Sequence, residues 1–64
     1  MSHHQPKKDR YRVQIGETSV TVESDSREGA IRLARFKLAD DMPRLWDMIF
    51  RIADGQFRVD LAHG

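Results

Sequence analysis

The side chains of this 64-residue chain that could act as nucleophiles, bases or metal ligands are few and scattered. Its three histidines, His3, His4 and His63, all lie near the ends of the sequence, and the chain contains no cysteine. A metal site needs several ligands held by an ordered shell of neighbouring groups, which two adjacent histidines near a chain end do not supply. We therefore predict no metal site and no cofactor.

The other candidates for acid–base or nucleophilic chemistry have a structural explanation. Asp40 and Asp41 form a carboxylate pair, but they fall where one predicted helix ends and another begins, a position where acidic residues are common. Ser19, Ser24 and Ser26 fall in a predicted strand or at a predicted helix start, with no histidine nearby to activate them. The four glycines lack the spacing of a phosphate-binding loop. The sequence thus predicts a protein that is not an enzyme.

The first predicted element of the chain, and so the first that could position a site, is a β-hairpin. Apolar and polar residues alternate along residues 10–15 and 18–23, and Gly16-Glu17 between them is typical of a tight turn. The inward-facing set is Tyr11, Val13, Ile15, Val20 and Val22. Residues 1–9 are polar and are interpreted as a flexible N-terminal arm, which leaves residues 10–62 as a single small domain.

An amphipathic helix is predicted from residue 27 to about residue 40. Asp25, followed three residues later by Glu28, resembles a capping box at its start. Its predicted apolar face consists of Ala30, Ile31, Leu33, Ala34 and Leu38, and its polar face of Glu28, Arg32 and Arg35. Phe36 and Ala39 lie off this apolar face, so Phe36 either meets the next segment or is exposed.

Residues 44–53 (RLWDMIFRIA) fit either a helix or a strand. As a helix, the segment places Leu45, Met48, Ile49 and Ile52 on one face, which Trp46 and Phe50 widen to an apolar arc of about 200°. As a strand, the segment has apolar side chains at every second position and leads into Asp54-Gly55, a common hairpin turn. Pro43 and the scarcity of β-branched residues favour the helix.

A last strand closes the predicted fold. Phe57, Val59 and Leu61 alternate with polar residues and point to one side. The sequence therefore predicts an α+β fold of order β-β-α-α-β, with a three-stranded sheet and two helices packed on one face.

Net charge, hydropathy and the absence of cysteine limit the kinds of partner and the cellular location that the sequence favours. Eleven basic residues nearly balance ten acidic ones, so no strong field attracts nucleic acid or an anionic membrane. No apolar run approaches the roughly 18 residues of a membrane span, and the N-terminus lacks the apolar core of a signal peptide. With cysteine also absent, a cytoplasmic protein without membrane contact is expected.

The leading functional hypothesis is a non-enzymatic interaction module that self-associates or belongs to a larger assembly. A domain this small, without disulfides, is commonly stabilised by a partner chain. Its interface candidates are Phe36, Met42, Trp46 and Phe50, since aromatic residues and methionine are enriched at interfaces. The alternative for these side chains is that they complete a core short of large residues. The edges of the sheet offer a second route to association, by strand addition.

The alternative function is weak nucleic-acid binding. Lys7, Lys8, Arg10 and Arg12 lie in the arm and the first strand, where they could contact phosphates without sequence preference. Against this function, the predicted open face of the sheet carries no aromatic residue on which a base could stack.

The residue pattern also resembles a known family. The run of residues 11–18 (YRVQIGET), the TVE of residues 21–23, the GAI of residues 29–31 and the QFRVD of residues 56–60 resemble the small DpnD/PcfM-like domains. The resemblance spans residues 11–61 and implies a hairpin, a helix, a closing strand and an accessory protein without catalytic residues. Residues 43–53 depart from that family's pattern, being longer and richer in Trp, Met and Phe.

Overall fold

A computed structural model describes residues 8–62 and shows three strands and two helices. The elements are β1 (Asp9–Ile15), β2 (Thr18–Ser24), α1 (Arg27–Asp41), α2 (Trp46–Arg51) and β3 (Arg58–Leu61), with 3₁₀ turns at Pro43–Leu45 and Asp54–Gln56. The predicted α+β fold of order β-β-α-α-β is confirmed. Most of the predicted arm, including Lys7, and all three histidines lie outside the described residues.

The three strands form an antiparallel sheet in the order β2-β1-β3. Gly16-Glu17 joins β1 to β2, and Gly16 has a φ of 58°, the positive value that the first residue of a type II′ turn requires. This turn fixes the register, so that Val13 lies between Val20 of β2 and Val59 of β3. Val13 is consequently the largest fully buried side chain of the domain.

The core lies between one face of the sheet and α1. On its helical side the buried residues are mostly alanines, and Ala30 and Ala34 have no exposed surface. Alanine lets the helix axis approach the sheet closely, which leaves little volume for a large aromatic ring between them. Among residues 8–62 the buried apolar residues are Tyr11, Val13, Val22, Ala30, Ala34, Leu38, Ala39, Ile49, Phe57 and Val59.

The start of α1 differs from the predicted capping box. Ser26 is the N-cap, and its Oγ accepts a hydrogen bond from the backbone N–H of Gly29 at 3.0 Å. Ser24, which is buried, accepts a second bond from the N–H of Ser26 at 3.3 Å. The prediction that Asp25 and Glu28 form a capping box was wrong, because the helix begins one residue later than that pattern requires.

The buried face of α1 is rotated relative to the predicted one. Ala39, predicted to lie off the apolar face, is buried, whereas Leu33, predicted to lie on it, is 44% exposed. The reason is that α1 packs against α2 and the Pro43–Leu45 turn as well as against the sheet. The second helix covers the side that carries Ala39 and leaves the side of Leu33 open.

The ambiguous segment is helical, in two short pieces. The Pro43–Leu45 turn leads into the six-residue α2, in which Ile49 is the buried residue. Leu45 and Met48, predicted on the same face as Ile49, are exposed, because α2 packs mainly against α1 and the Pro43–Leu45 turn. Asp54-Gly55 belongs to a 3₁₀ turn before β3 and forms no hairpin. Leu61 is exposed at the end of the edge strand, contrary to its predicted inward position.

Both edges of the sheet are contacted by basic side chains from α1. Lys37 Nζ donates a hydrogen bond to the carbonyl oxygen of Thr21 in β2 at 3.1 Å. Arg27 Nη2 donates to the carbonyl oxygen of Val59 in β3 at 3.3 Å. The helix thus lies across the sheet and holds both of its outer strands.

Candidate protein-interaction site

Three aromatic side chains, Phe36, Trp46 and Phe50, contact one another on the helical side of the domain, and we name them the aromatic cluster. The ring centroids of Phe36 and Phe50 lie 5.2 Å apart at an interplanar angle of 68°, and those of Trp46 and Phe50 lie 4.7 Å apart at 38°. Phe36 and Trp46 lie 6.4 Å apart, edge to face. These distances are typical of favourable aromatic pairs.

The cluster is formed by two helices and is largely exposed. Phe36 projects from the outer side of α1, whereas Trp46 and Phe50 are spaced i,i+4 on one side of α2. Phe36 is 52% exposed and Trp46 is 49% exposed, while Phe50 is partly buried against the core. The cluster therefore has a base in the core and an outer surface of two large rings.

Met42, the fourth predicted interface residue, lies elsewhere. It follows the last turn of α1, where its N–H donates to the carbonyl of Leu38, and it packs half-buried against the core. Two exposed apolar residues that we did not predict as interface candidates, Leu45 and Met48, lie on the other flank of α2. The amphipathic pattern alone gave no signal for them, because it placed both on the face of Ile49.

Arg35 fixes α2 beside α1 and so positions the cluster. Its Nη1 donates to the carbonyl oxygen of Ile49 at 2.7 Å, and its Nη2 donates to Asp54 Oδ1 at 2.5 Å. The guanidinium carbon lies 4.7 Å from the centroid of the Phe57 ring. Sequence reasoning placed Arg35 on the solvated face of α1, but only 12% of its side chain is exposed.

Two opposite charges flank Phe36 on the surface of α1. Arg32 precedes Phe36 by four residues, Asp40 follows it by four residues, and both are exposed. Within residues 8–62 the ion pairs are Arg10 with Glu23 and Arg35 with Asp54, so neither Arg32 nor Asp40 has an ionic partner there. Glu28, four residues before Arg32 on the predicted polar face, forms no ion pair with it. Both charges are available to a second molecule.

The predicted nucleic-acid residues Arg10 and Arg12 lie on the face of the sheet that the helices leave open. Arg12 sits between Thr21 and Asp60, and Arg10 Nη2 lies 3.8 Å from Glu23 Oε1. Lys8 lies beside Arg10 in a shallow hollow at the end of the sheet. Acidic residues therefore alternate with basic ones on this face.

Residues 8–62 lack two features, a group of metal-ligating side chains and a membrane-spanning helix. Among residues 8–62, no three His, Asp or Glu side chains are grouped closely enough to bind a metal ion together. No helix in the same range has both the length and the apolar character needed to cross a membrane.

The chain was also compared with known proteins. No family model matches it, and comparisons with curated proteins and with solved structures found no match either. The resemblance to DpnD/PcfM-like domains therefore stays a prediction that rests on the residues quoted above.

Proposed function

We propose that the protein is a non-enzymatic interaction module that binds a protein partner through the aromatic cluster. The observation that carries this proposal is the exposure of Phe36 and Trp46, two large rings in contact with each other on the outer surface of a domain whose core is mostly alanine and valine. Trp is among the residues that contribute most to binding at protein interfaces, and Phe is enriched there.

The energetics favour covering this surface. A large aromatic side chain buries about 150–250 Å² when fully covered, so the half-exposed rings of Phe36 and Trp46 leave about 200 Å² in contact with water. At about 25 cal/mol per Å², covering this area contributes about 5 kcal/mol before the costs of association. The cluster thus supplies the apolar centre of an interface, and the flanking charges of Arg32 and Asp40 supply its polar rim.

Site-specific photo-crosslinking tests the proposal. A benzophenone-bearing amino acid replaces Trp46 in one variant and Thr21, exposed on the open face of the sheet, in a matched control. Both variants are irradiated as purified protein and in extracts of the cells that produce it, after far-UV circular dichroism has shown that they fold.

We expect covalent protein adducts from position 46 and few from position 21. Adding Phe36→Ser to the position-46 variant should abolish the adducts, because it removes one of the two exposed rings. Adduct yields that are equal at the two positions, or the absence of adducts at position 46, would overturn the proposal.

A second candidate function, weak nucleic-acid binding, is favoured by the position of Lys8, Arg10 and Arg12 on one side of the sheet together with Arg58. Its test is a salt titration of binding to duplex DNA. Each neutralised phosphate should steepen the log–log slope by about 0.9. Absence of binding at low salt would exclude this candidate.

A further inference from the structure

We propose that the partner of the aromatic cluster is a second copy of this chain, docked so that the two α1 helices run antiparallel about a two-fold axis near Phe36. This inference rests on the proposed function and names its partner. It follows from the order of three exposed residues on α1, namely Arg32, Phe36 and Asp40.

These three residues lie along one ridge of the helix. Side chains four residues apart form the i±4 ridges through which helices pack, and four residues span about 6 Å along the axis. Basic Arg32 therefore leaves the helix about 6 Å along the axis on one side of Phe36, and acidic Asp40 leaves it about 6 Å on the other. Neither charge is engaged in an ion pair within residues 8–62.

A two-fold axis at Phe36 makes this ridge complementary to itself. In a symmetric dimer each contact occurs twice. If residue i of one copy contacts residue j of the other, then residue j of the first copy contacts residue i of the second. Reversing the helix about Phe36 therefore places Arg32 of each copy opposite Asp40 of the other. Two ion pairs then flank the apolar contact between the two Phe36 rings. A parallel arrangement would instead oppose like charges.

The neighbouring surface suits this arrangement. Packing of i±4 ridges on both helices gives an interaxial angle near −50°, the commonest class in globular proteins. Trp46 and Phe50 lie beside Phe36 on the side of α2 and widen the apolar centre. Beside the ridge lies a shallow hollow, lined by Phe36, Lys37, Ala39, Asp40, Pro43 and Trp46.

The dimer should be weak. The two half-exposed rings of each copy contribute about 200 Å², against about 800 Å² per partner in a stable interface of standard size. We therefore expect dissociation constants in the range of about 10 µM to 1 mM. Because both ion pairs lie at the rim, the affinity should also fall as salt is added.

Charge reversal tests the inference. Arg32→Asp alone opposes two carboxylates at each end of the contact, and Asp40→Arg alone opposes two guanidinium groups. Each single variant should dimerise at least about tenfold more weakly than the unmodified protein, a difference of about 1.4 kcal/mol. An equimolar mixture of the two single variants restores both ion pairs in the heterodimer. One copy then carries a carboxylate at both positions, and the other carries a guanidinium group at both.

Sedimentation equilibrium at low salt, from about 10 µM to 1 mM, measures the association, and native mass spectrometry separates heterodimers from homodimers by mass. We expect the mixture, and also the double variant Arg32→Asp/Asp40→Arg, to regain the original affinity, whereas Phe36→Ser should remain monomeric. Circular dichroism confirms that each variant is folded.

Three results would overturn the inference. They are a monomeric unmodified protein at the highest concentration, a mixture that associates no better than its components, and a Phe36→Ser variant that still dimerises. A monomer that nevertheless forms crosslinks at position 46 to a different protein would overturn this inference and leave the proposed function standing. A monomer without such crosslinks would overturn both.

Discussion

Arg35 makes two hydrogen bonds that differ in burial, and we therefore expect them to differ in their contribution to stability. Its guanidinium donates one hydrogen bond to the carbonyl of Ile49 near the end of α2, and a second to the carboxylate of Asp54. The side chain of Arg35 is 12% exposed, but that of Asp54 is 70% exposed. We expect Arg35→Gln to destabilise the domain much more than Asp54→Asn does.

The magnitudes follow from these environments. A hydrogen bond from a charged donor contributes about 1.5–3 kcal/mol, and the contact with the Phe57 ring contributes about 0.5–1 kcal/mol. The ion pair with the exposed Asp54 contributes about 0–1 kcal/mol, since water and salt screen it. Arg35→Gln removes all three contacts and should thus lower the free energy of unfolding by about 2–5 kcal/mol, whereas Asp54→Asn should lower it by less than about 1 kcal/mol.

Urea unfolding followed by far-UV circular dichroism measures both changes, and the near-UV signal of Trp46 reports on the position of α2. The unmodified domain has a total stability of only about 3–10 kcal/mol, so Arg35→Gln should leave it close to unfolding at 25 °C. Equal losses in the two variants, or a loss in Arg35→Gln that disappears at high salt, would show that the ion pair with Asp54 is the dominant contact and refute the reasoning.

Two further predictions concern α1, and urea unfolding measures both. Gly29→Ala should destabilise by about 1 kcal/mol although alanine favours helix, because the new Cβ collides with Ser24 Oγ and lies 3.1 Å from Ser26 Oγ. In a Ser24→Ala background the same substitution should stabilise, and an identical effect in both backgrounds would contradict this account. Leu38→Ala should cost about 2–5 kcal/mol, whereas Leu33→Ala should cost less than about 1 kcal/mol. Similar costs at the two leucines would mean that α1 has the rotation predicted from sequence.

The hairpin and α1 were predictable because their signals are local. The alternation of apolar and polar residues on both sides of Gly16-Glu17 indicates two strands. The 3.6-residue period of apolar residues indicates a helix, and neither pattern depends on the rest of the chain. The boundary of α1 was less predictable, because Ser24, Asp25 and Ser26 can all cap a helix. The burial of Ser24 under the start of the helix determines which of them does so, and burial is a property of the folded domain.

The candidate site was predictable as a set of residues but not as an arrangement. Phe36, Trp46 and Phe50 were identified from an excess of apolar surface, and the structure brings them into contact. The role of Arg35 depends on the carbonyl of Ile49, 14 residues further along the chain, and to a lesser degree on Asp54, 19 residues along, and no local pattern encodes either contact. The rotation of α1 likewise depends on the packing of α2, which buries Ala39 and leaves Leu33 exposed.

The basic side chains at the sheet edges have a consequence for aggregation. An intermolecular sheet of the kind found in amyloid grows when a strand of one molecule bonds to the free backbone groups of an edge strand of another. On this domain an incoming strand would have to displace Lys37 from Thr21 at one edge or Arg27 from Val59 at the other. At high protein concentration these two contacts therefore oppose the addition of one molecule to another strand by strand, and they do not oppose association through the helices.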